Sequence, residues 1–194
     1  MATTERKPPI IALVAIGFMV LAGILYLVAM ALPYWHVAYG ITPSGALTPR
    51  LGHYGLWVGC EPFLSSVICA HQSLHIDSWL LWVRALHTIG MMCGTGALIM
   101  MVVYAFIYSE RWSGIFKISA VVSAICAGLF VMIGDVVYGA SISQGKSHPM
   151  QPPIRYDRYK FDLSWSFGLS VTAAILCIVS AVCIGFAKKR RISN

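Results

Sequence analysis

Four stretches of this chain are too long and too apolar to be anything but membrane spans. Ile10 to Leu32 is 23 consecutive residues without a charged side chain. Thr88 to Tyr108 and Leu163 to Ala187 are also uncharged, and Ile118 to Tyr138 is broken only by Asp135. About 20 apolar residues cross the hydrocarbon core of a bilayer as a helix. Lipid offers backbone N–H and C=O groups no partners, so each span must satisfy them internally, as a helix does. Charged residues make up 11% of the chain, against about 25% in soluble domains, which leaves too little polar surface to coat a water-soluble globule. The sequence therefore predicts an all-α membrane protein forming one domain over 1–194. Its four spans lie at about 10–32, 79–108, 116–138 and 163–187, and its two large loops at 33–78 and 139–162. Ala29-Met30-Ala31 has the look of a signal-peptide cleavage site, but signal h-regions run to only about 7–15 residues. The first run is read as a retained helix.

Orientation follows from lysine and arginine density, which is higher on the cytosolic side. Segments 1–9, 109–117 and 188–194 are short and hold eight such residues, whereas the much longer loops 33–78 and 139–162 hold five. Both termini are therefore expected in the cytosol and both large loops outside, at the plasma membrane. The net charge of +7 sits at the ends of apolar runs, where it suits an anionic inner leaflet, so membrane lipids rather than nucleic acid are the expected partner. Gly90 and Gly94, and then Ala120, Ala124 and Gly128, are small-residue steps that let helix backbones approach closely. Trp79, Trp82 and Trp165 fall where interfacial tryptophans belong. Arg84 and Asp135 lie near the outer ends of their spans and are expected to reach water there; the alternative is a mutual pair clamping two helices.

The first large loop has a different texture. Tyr34-Trp35-His36-Val37-Ala38-Tyr39 is aromatic and β-forming, Pro43, Gly45, Pro49 and Gly52 mark turns, and Gly55 to Cys60 and Val67 to Cys69 suggest two more strands. These make a small antiparallel sheet on the extracellular side. Of six cysteines only Cys60 and Cys69 lie outside the apolar runs. In an oxidising compartment they are expected to pair; metal binding and free thiols are the alternatives. His71, His75 and Asp77 are close in sequence, but two solvated or interfacial histidines explain them more simply than a metal site. Cys183, just before the basic tail, has the juxtamembrane position of a palmitoylation site, or is a plain apolar core residue.

Trp35, followed after nineteen residues by Gly55-Leu56-Trp57 and then by Cys60 and Cys69, resembles the W…GLW…C…C signature of the claudin superfamily. That group takes in claudins, peripheral myelin and epithelial membrane proteins, and calcium-channel gamma subunits. Arg84-Ala85-Leu86 is similar to the family's Arg-Ala-Leu at the start of its second helix. The resemblance implies a left-handed four-helix bundle capped by an extracellular sheet. It further implies that Trp35, Gly55, Leu56 and Trp57 hold the sheet to the membrane and that Cys60 and Cys69 are joined.

The branches of that group differ in what they do. Gly134-Asp135-Val136-Val137-Tyr138 and Trp165-Ser166-Phe167 look gamma-like, whereas the length of the first loop is claudin-like. The only asparagine is Asn194, so no N-x-[ST] glycosylation acceptor exists, which leans toward claudins. The tail reads Ile192-Ser193-Asn194, without the terminal valine by which many claudins bind scaffolds. No HExxH, GxSxG, Walker or GxGxxG motif occurs, and no enzyme, metal or cofactor is expected. The leading expectation is a claudin-like protein of cell–cell contacts, acting in adhesion or barrier formation and self-associating in cis and in trans. The alternative is an auxiliary subunit that sets the gating or trafficking of an ion channel or receptor.

Overall fold

The computed structural model describes residues 8–41, 44–63, 66–71, 77–106, 110–146 and 158–187. Helix α1 runs from Ile10 to Ala31 and ends where Leu32, preceding Pro33, turns to extended backbone at φ −99°, ψ 143°, as a residue before proline prefers. Four strands follow: β1 His36–Ile41, β2 Leu47–Tyr54, β3 Val58–Phe63 and β4 Ser66–His71. Helices α2 (Ser78–Phe106) and α3 (Glu110–Ser143) come next, then strand β5 (Arg158–Leu163) and helix α4 (Trp165–Phe186). All four helices are long and apolar enough to cross a membrane. At 34 residues, α3 is about 51 Å long, so it must extend beyond a hydrocarbon core of about 30 Å.

The helices are sorted by side-chain size. Ala12, Ala15, Ala22, Ala97, Ala120, Ala124, Ala174 and Ala181 are buried between them, whereas Leu27, Met92, Ile118 and Phe186 face outward. Small residues inside and large apolar ones outside is the arrangement lipid permits, because close helix contact replaces a hydrophobic drive. Two glycines on these seams mark close approaches. A methyl group on Gly90 would sit 2.7 Å from Val131 on α3, and one on Gly128 would sit 2.8 Å from Ile178 on α4. The most extensive helix contacts are α2 with α3, α1 with α4, and α3 with α4; of the four neighbouring pairs, α1 and α2 touch least. Along that looser seam lies an apolar cavity of about 180 Å³, lined in part by Gly23, Tyr26, Gly90 and Gly94. At the bundle end away from the sheet, the Tyr104 hydroxyl and the Lys117 ammonium both donate to the Ala187 carbonyl, at 3.1 and 2.9 Å. They satisfy an acceptor that the end of α4 leaves open.

The sheet has five strands in the order β4-β3-β2-β1-β5, with every pairing antiparallel. Two sequence expectations need correction here. Residues 47–54, read as turns from Pro49 and Gly52, form β2. Pro49 lies in the part of β2 that β3 does not reach and where the register with β1 is irregular, a setting that tolerates a residue without an N–H. The second correction is β5: the sequence places its residues in the second outer loop and at the first residue of the fourth span, yet they pair along the whole of β1, from His36↔Leu163 to Ile41↔Arg158.

Candidate functional site

The sheet is held to the bundle through one tryptophan and the turn that faces it. Trp35 is fully buried. Its Nε1–H donates to the Ala29 carbonyl at the end of α1 over 2.7 Å. Its ring meets His87 of α2, Tyr138 of α3 and Phe167 of α4 edge-on, with centroids 5.2, 5.0 and 6.1 Å away. One side chain thus touches all four helices. Its backbone N–H donates to Tyr54 O, and its carbonyl accepts from Ser164 N–H, which ties the sheet's middle to the start of α4.

Gly55, Leu56 and Trp57 form the facing turn, closed by Gly55 N–H to Val58 O at 2.8 Å. A side chain at Gly55 would meet the Leu32 carbonyl at 2.7 Å and Pro33 Cα at 2.8 Å. Both are backbone, so only glycine lets the turn rest on the end of α1. Leu56 is fully buried among Trp35, Leu80, Val83 and Tyr138. Its carbonyl accepts Arg84 Nε–H at 2.7 Å, and the Arg84 guanidinium lies over the Trp57 ring, 4.9 Å from its centre. Arg84 is therefore buried to 8% exposure and clasps the turn, instead of pairing with Asp135 or standing at the water interface. Asp135 is buried as well and faces His87 and Ser170 instead.

Cys60 and Cys69 stand directly opposite each other on β3 and β4 and are bonded, with S–S 2.06 Å. Cys60 is buried and Cys69 exposed, so the bond ties the edge strand β4 to β3 within the outer hairpin. The Tyr54 hydroxyl donates to Glu61 at 2.5 Å, bracing β2 against β3. Cys183, the acylation candidate, is half-buried and packs against the core near Ala187. His71 is exposed on β4, and His75 lies outside the described residues. Among the described residues no three His, Cys, Asp or Glu side chains stand close enough to hold a metal ion.

Two histidines escaped the sequence reading. His87 lies one turn beyond Arg84 inside a span, where any ionisable residue is a signal. His36 is buried under the sheet, with Nδ1 2.7 Å from the Tyr138 hydroxyl and its ring stacked on Tyr54. Burial lowers its pKa to about 3, against about 6.5 when unfolded. Between these values the unfolded chain binds more protons, so His36 leaves stability intact above about pH 6.5 and erodes it as pH falls, by up to roughly 1.4 kcal/mol per unit. Limited proteolysis of the solubilised protein should therefore cut the sheet faster at pH 5 than at pH 7.5. His36→Gln, which cannot gain that charge, should flatten the difference; an unchanged pH slope in the variant would refute the assignment.

A search of curated protein sequences returned no match. The family model described as the PMP-22/EMP/MP20/Claudin family matches residues 10–184, from the first residue of α1 almost to the end of α4. With four membrane-spanning helices, an antiparallel sheet anchored on their end and a match covering most of its length, the chain belongs to the PMP-22/EMP/MP20/Claudin family.

Proposed function

We propose that this multi-pass membrane protein acts at cell–cell contacts, with its sheet on the extracellular face of the plasma membrane, both termini in the cytosol, and copies associating side by side through the sheet. The observation that carries this reading is β4. It is a terminal strand in the sheet order, and all six of its residues are exposed, Val67 and Ile68 among them at 61% and 49%. An exposed edge strand with apolar side chains is a template for pairing with another strand, and soluble proteins usually blunt such edges with charge. Here the edge is also stiffened by the Cys60–Cys69 bond. Stiffness favours association because less freedom is lost on contact.

The test is expression of the tagged chain alone in non-adherent cells, followed by imaging of touching pairs. Enrichment at the contact is expected, and Val67→Lys/Ile68→Lys should reduce it without lowering total surface protein. Diffuse surface staining, or retention inside the cell until a channel is co-expressed, would favour the auxiliary-subunit alternative.

A further inference from the structure

Four polar side chains, one from each helix, meet inside the bundle beneath Trp35. The Tyr26 hydroxyl of α1 lies 2.8 Å from the His87 carbonyl oxygen and 3.1 Å from His87 Nδ1. His87 Nε2 lies 3.5 Å from Asp135 Oδ1, and Ser170 Oγ–H of α4 donates to that same oxygen at 2.9 Å. His87 and Asp135 are essentially inaccessible, at 0% and 1% exposure. Room for the imidazole comes from Gly134, where a methyl group would collide with it at 2.7 Å.

Counting hydrogens fixes what this node must hold. Tyr26 has one O–H hydrogen, and its shorter contact is to a carbonyl, which can only accept. The hydroxyl oxygen then accepts from Nδ1, so Nδ1 carries its hydrogen. A neutral imidazole with Nδ1–H turns a bare lone pair at Nε2 toward the Asp135 carboxylate, acceptor against acceptor. One added proton resolves the clash. It sits on Asp135 and is donated to Nε2, or it sits on Nε2 and is donated to Asp135; in both forms the pair is neutral. If the hydroxyl turned toward Nδ1 instead, a bare aspartate charge would remain inside the membrane, where charges are costly unless matched. Asp135 Oδ2 has no hydrogen-bond partner, which suits the uncharged end of a protonated group better than half of a full charge. At 3.5 Å the gap is longer than a formed N–H···O bond, and His87 Nε2 has no other hydrogen-bond partner, so a proton placed between the two has nowhere else to go.

We infer that His87 and Asp135 form a one-proton binding site inside the membrane, whose bridging proton ties α2 to α3 and, through Tyr26 and Ser170, holds α1 and α4 together beneath Trp35. Losing that proton leaves the node with one negative charge, and gaining a second leaves it with one positive charge; both loosen the seat of the tryptophan that carries the sheet. About one turn from the pair on the same helices lie the ionisable Arg84 and Tyr138, and Cys177 lines the same cavity as Tyr26. Arg84 is committed to the Leu56 carbonyl and Tyr138 to His36. The site rests on the four-helix fold and not on any role at cell contacts.

The test uses the full chain in lipid nanodiscs at neutral pH. The variant Asp77→Asn/Asp157→Asn/Asp162→Asn leaves Asp135 as the only aspartate, so carboxyl-labelled aspartate reports on it alone by infrared spectroscopy. Nitrogen-labelled histidine, assigned with His87→Gln, reports on the imidazole by magnetic resonance. The expected result is one proton on the pair: either a carboxylic-acid carbonyl band from Asp135 with neutral His87, or an ionised Asp135 with imidazolium at His87. An ionised Asp135 facing a neutral His87, or an acid facing an imidazolium, overturns the inference. A second arm compares protease protection of the sheet in two variants. Asp135→Asn keeps an N–H to offer Nε2 and should match wild type, whereas Asp135→Leu has none and should be cut faster; equal protection in both would also overturn it.

Discussion

Trp35→Ala should cost about 3–5 kcal/mol, the range for truncating a buried tryptophan, and should detach the sheet from the bundle while the helices remain inserted. The side chain fills the space where all four helices converge, and its loss leaves a cavity that the small-residue helix contacts below cannot collapse into. It also strands the Ala29 carbonyl. The helices keep their own backbone bonds in lipid regardless, so total protein should fall less than surface-delivered protein. Trp35→Phe separates the two contributions: it retains most ring contacts and loses one hydrogen bond, a loss of about 1 kcal/mol plus the smaller ring. Thermal unfolding in detergent, read alongside protease protection of residues 36–71, measures both. Wild-type protection in Trp35→Ala would mean that the sheet is held elsewhere.

Cys60→Ser is the second large effect. Closing a short loop stabilises by about 2–3 kcal/mol through the unfolded chain, and the geometry says where that loss is felt. The outer hairpin β3–β4 pairs with the rest of the sheet only through His53↔Cys60 and Tyr54↔Gly59, while β1, β2 and β5 are held by longer ladders. The bond lies within that hairpin, so cleaving it should loosen β4 on β3 first, and with it the short β2–β3 ladder, and leave β1 and β5 seated on Trp35. Cys69→Ser should behave alike, and the double variant should be no worse than either single one, because both act on one bond. Cys126→Ser within α3 should be mild by comparison, since a hydroxyl in a helix can bond back to its own backbone. Surface biotinylation with protease mapping distinguishes these cases. An additive loss in the double variant would show that the two cysteines act separately.

The four spans were legible because lipid imposes a crude rule, about twenty apolar residues without charge, and the sequence obeys it three times and, but for Asp135, a fourth. The anchoring turn was legible through its resemblance, and Gly55 and Arg84 show why those residue types recur: one avoids a backbone collision, the other satisfies a buried carbonyl. Strand β2 was obscured because Pro49 and Gly52 carry turn propensity, while the fold uses Gly52 to let strands approach; a methyl group there would meet the Cys60 carbonyl at 2.9 Å. Strand β5 carries a usable signal in its alternation. Arg158, Lys160 and Asp162 alternate with Tyr159, Phe161 and Leu163, the period of a half-buried strand. The polar node was the least legible feature, since Tyr26, His87, Asp135 and Ser170 are single polar residues on four separate spans. Nothing local marks them as neighbours.

An extracellular location for the sheet that the Cys60–Cys69 bond closes on the four-span bundle is the central proposal. It is tested most directly by labelling intact cells with a membrane-impermeant thiol reagent, before and after mild reduction, and mapping the modified cysteines. The account predicts that neither Cys60 nor Cys69 is labelled before reduction and that Cys69, the exposed partner, is labelled strongly after it. Labelling without reductant would mean that the bond is absent, and no labelling of intact cells after reduction, with strong labelling once they are permeabilised, would put the sheet on the wrong side of the membrane.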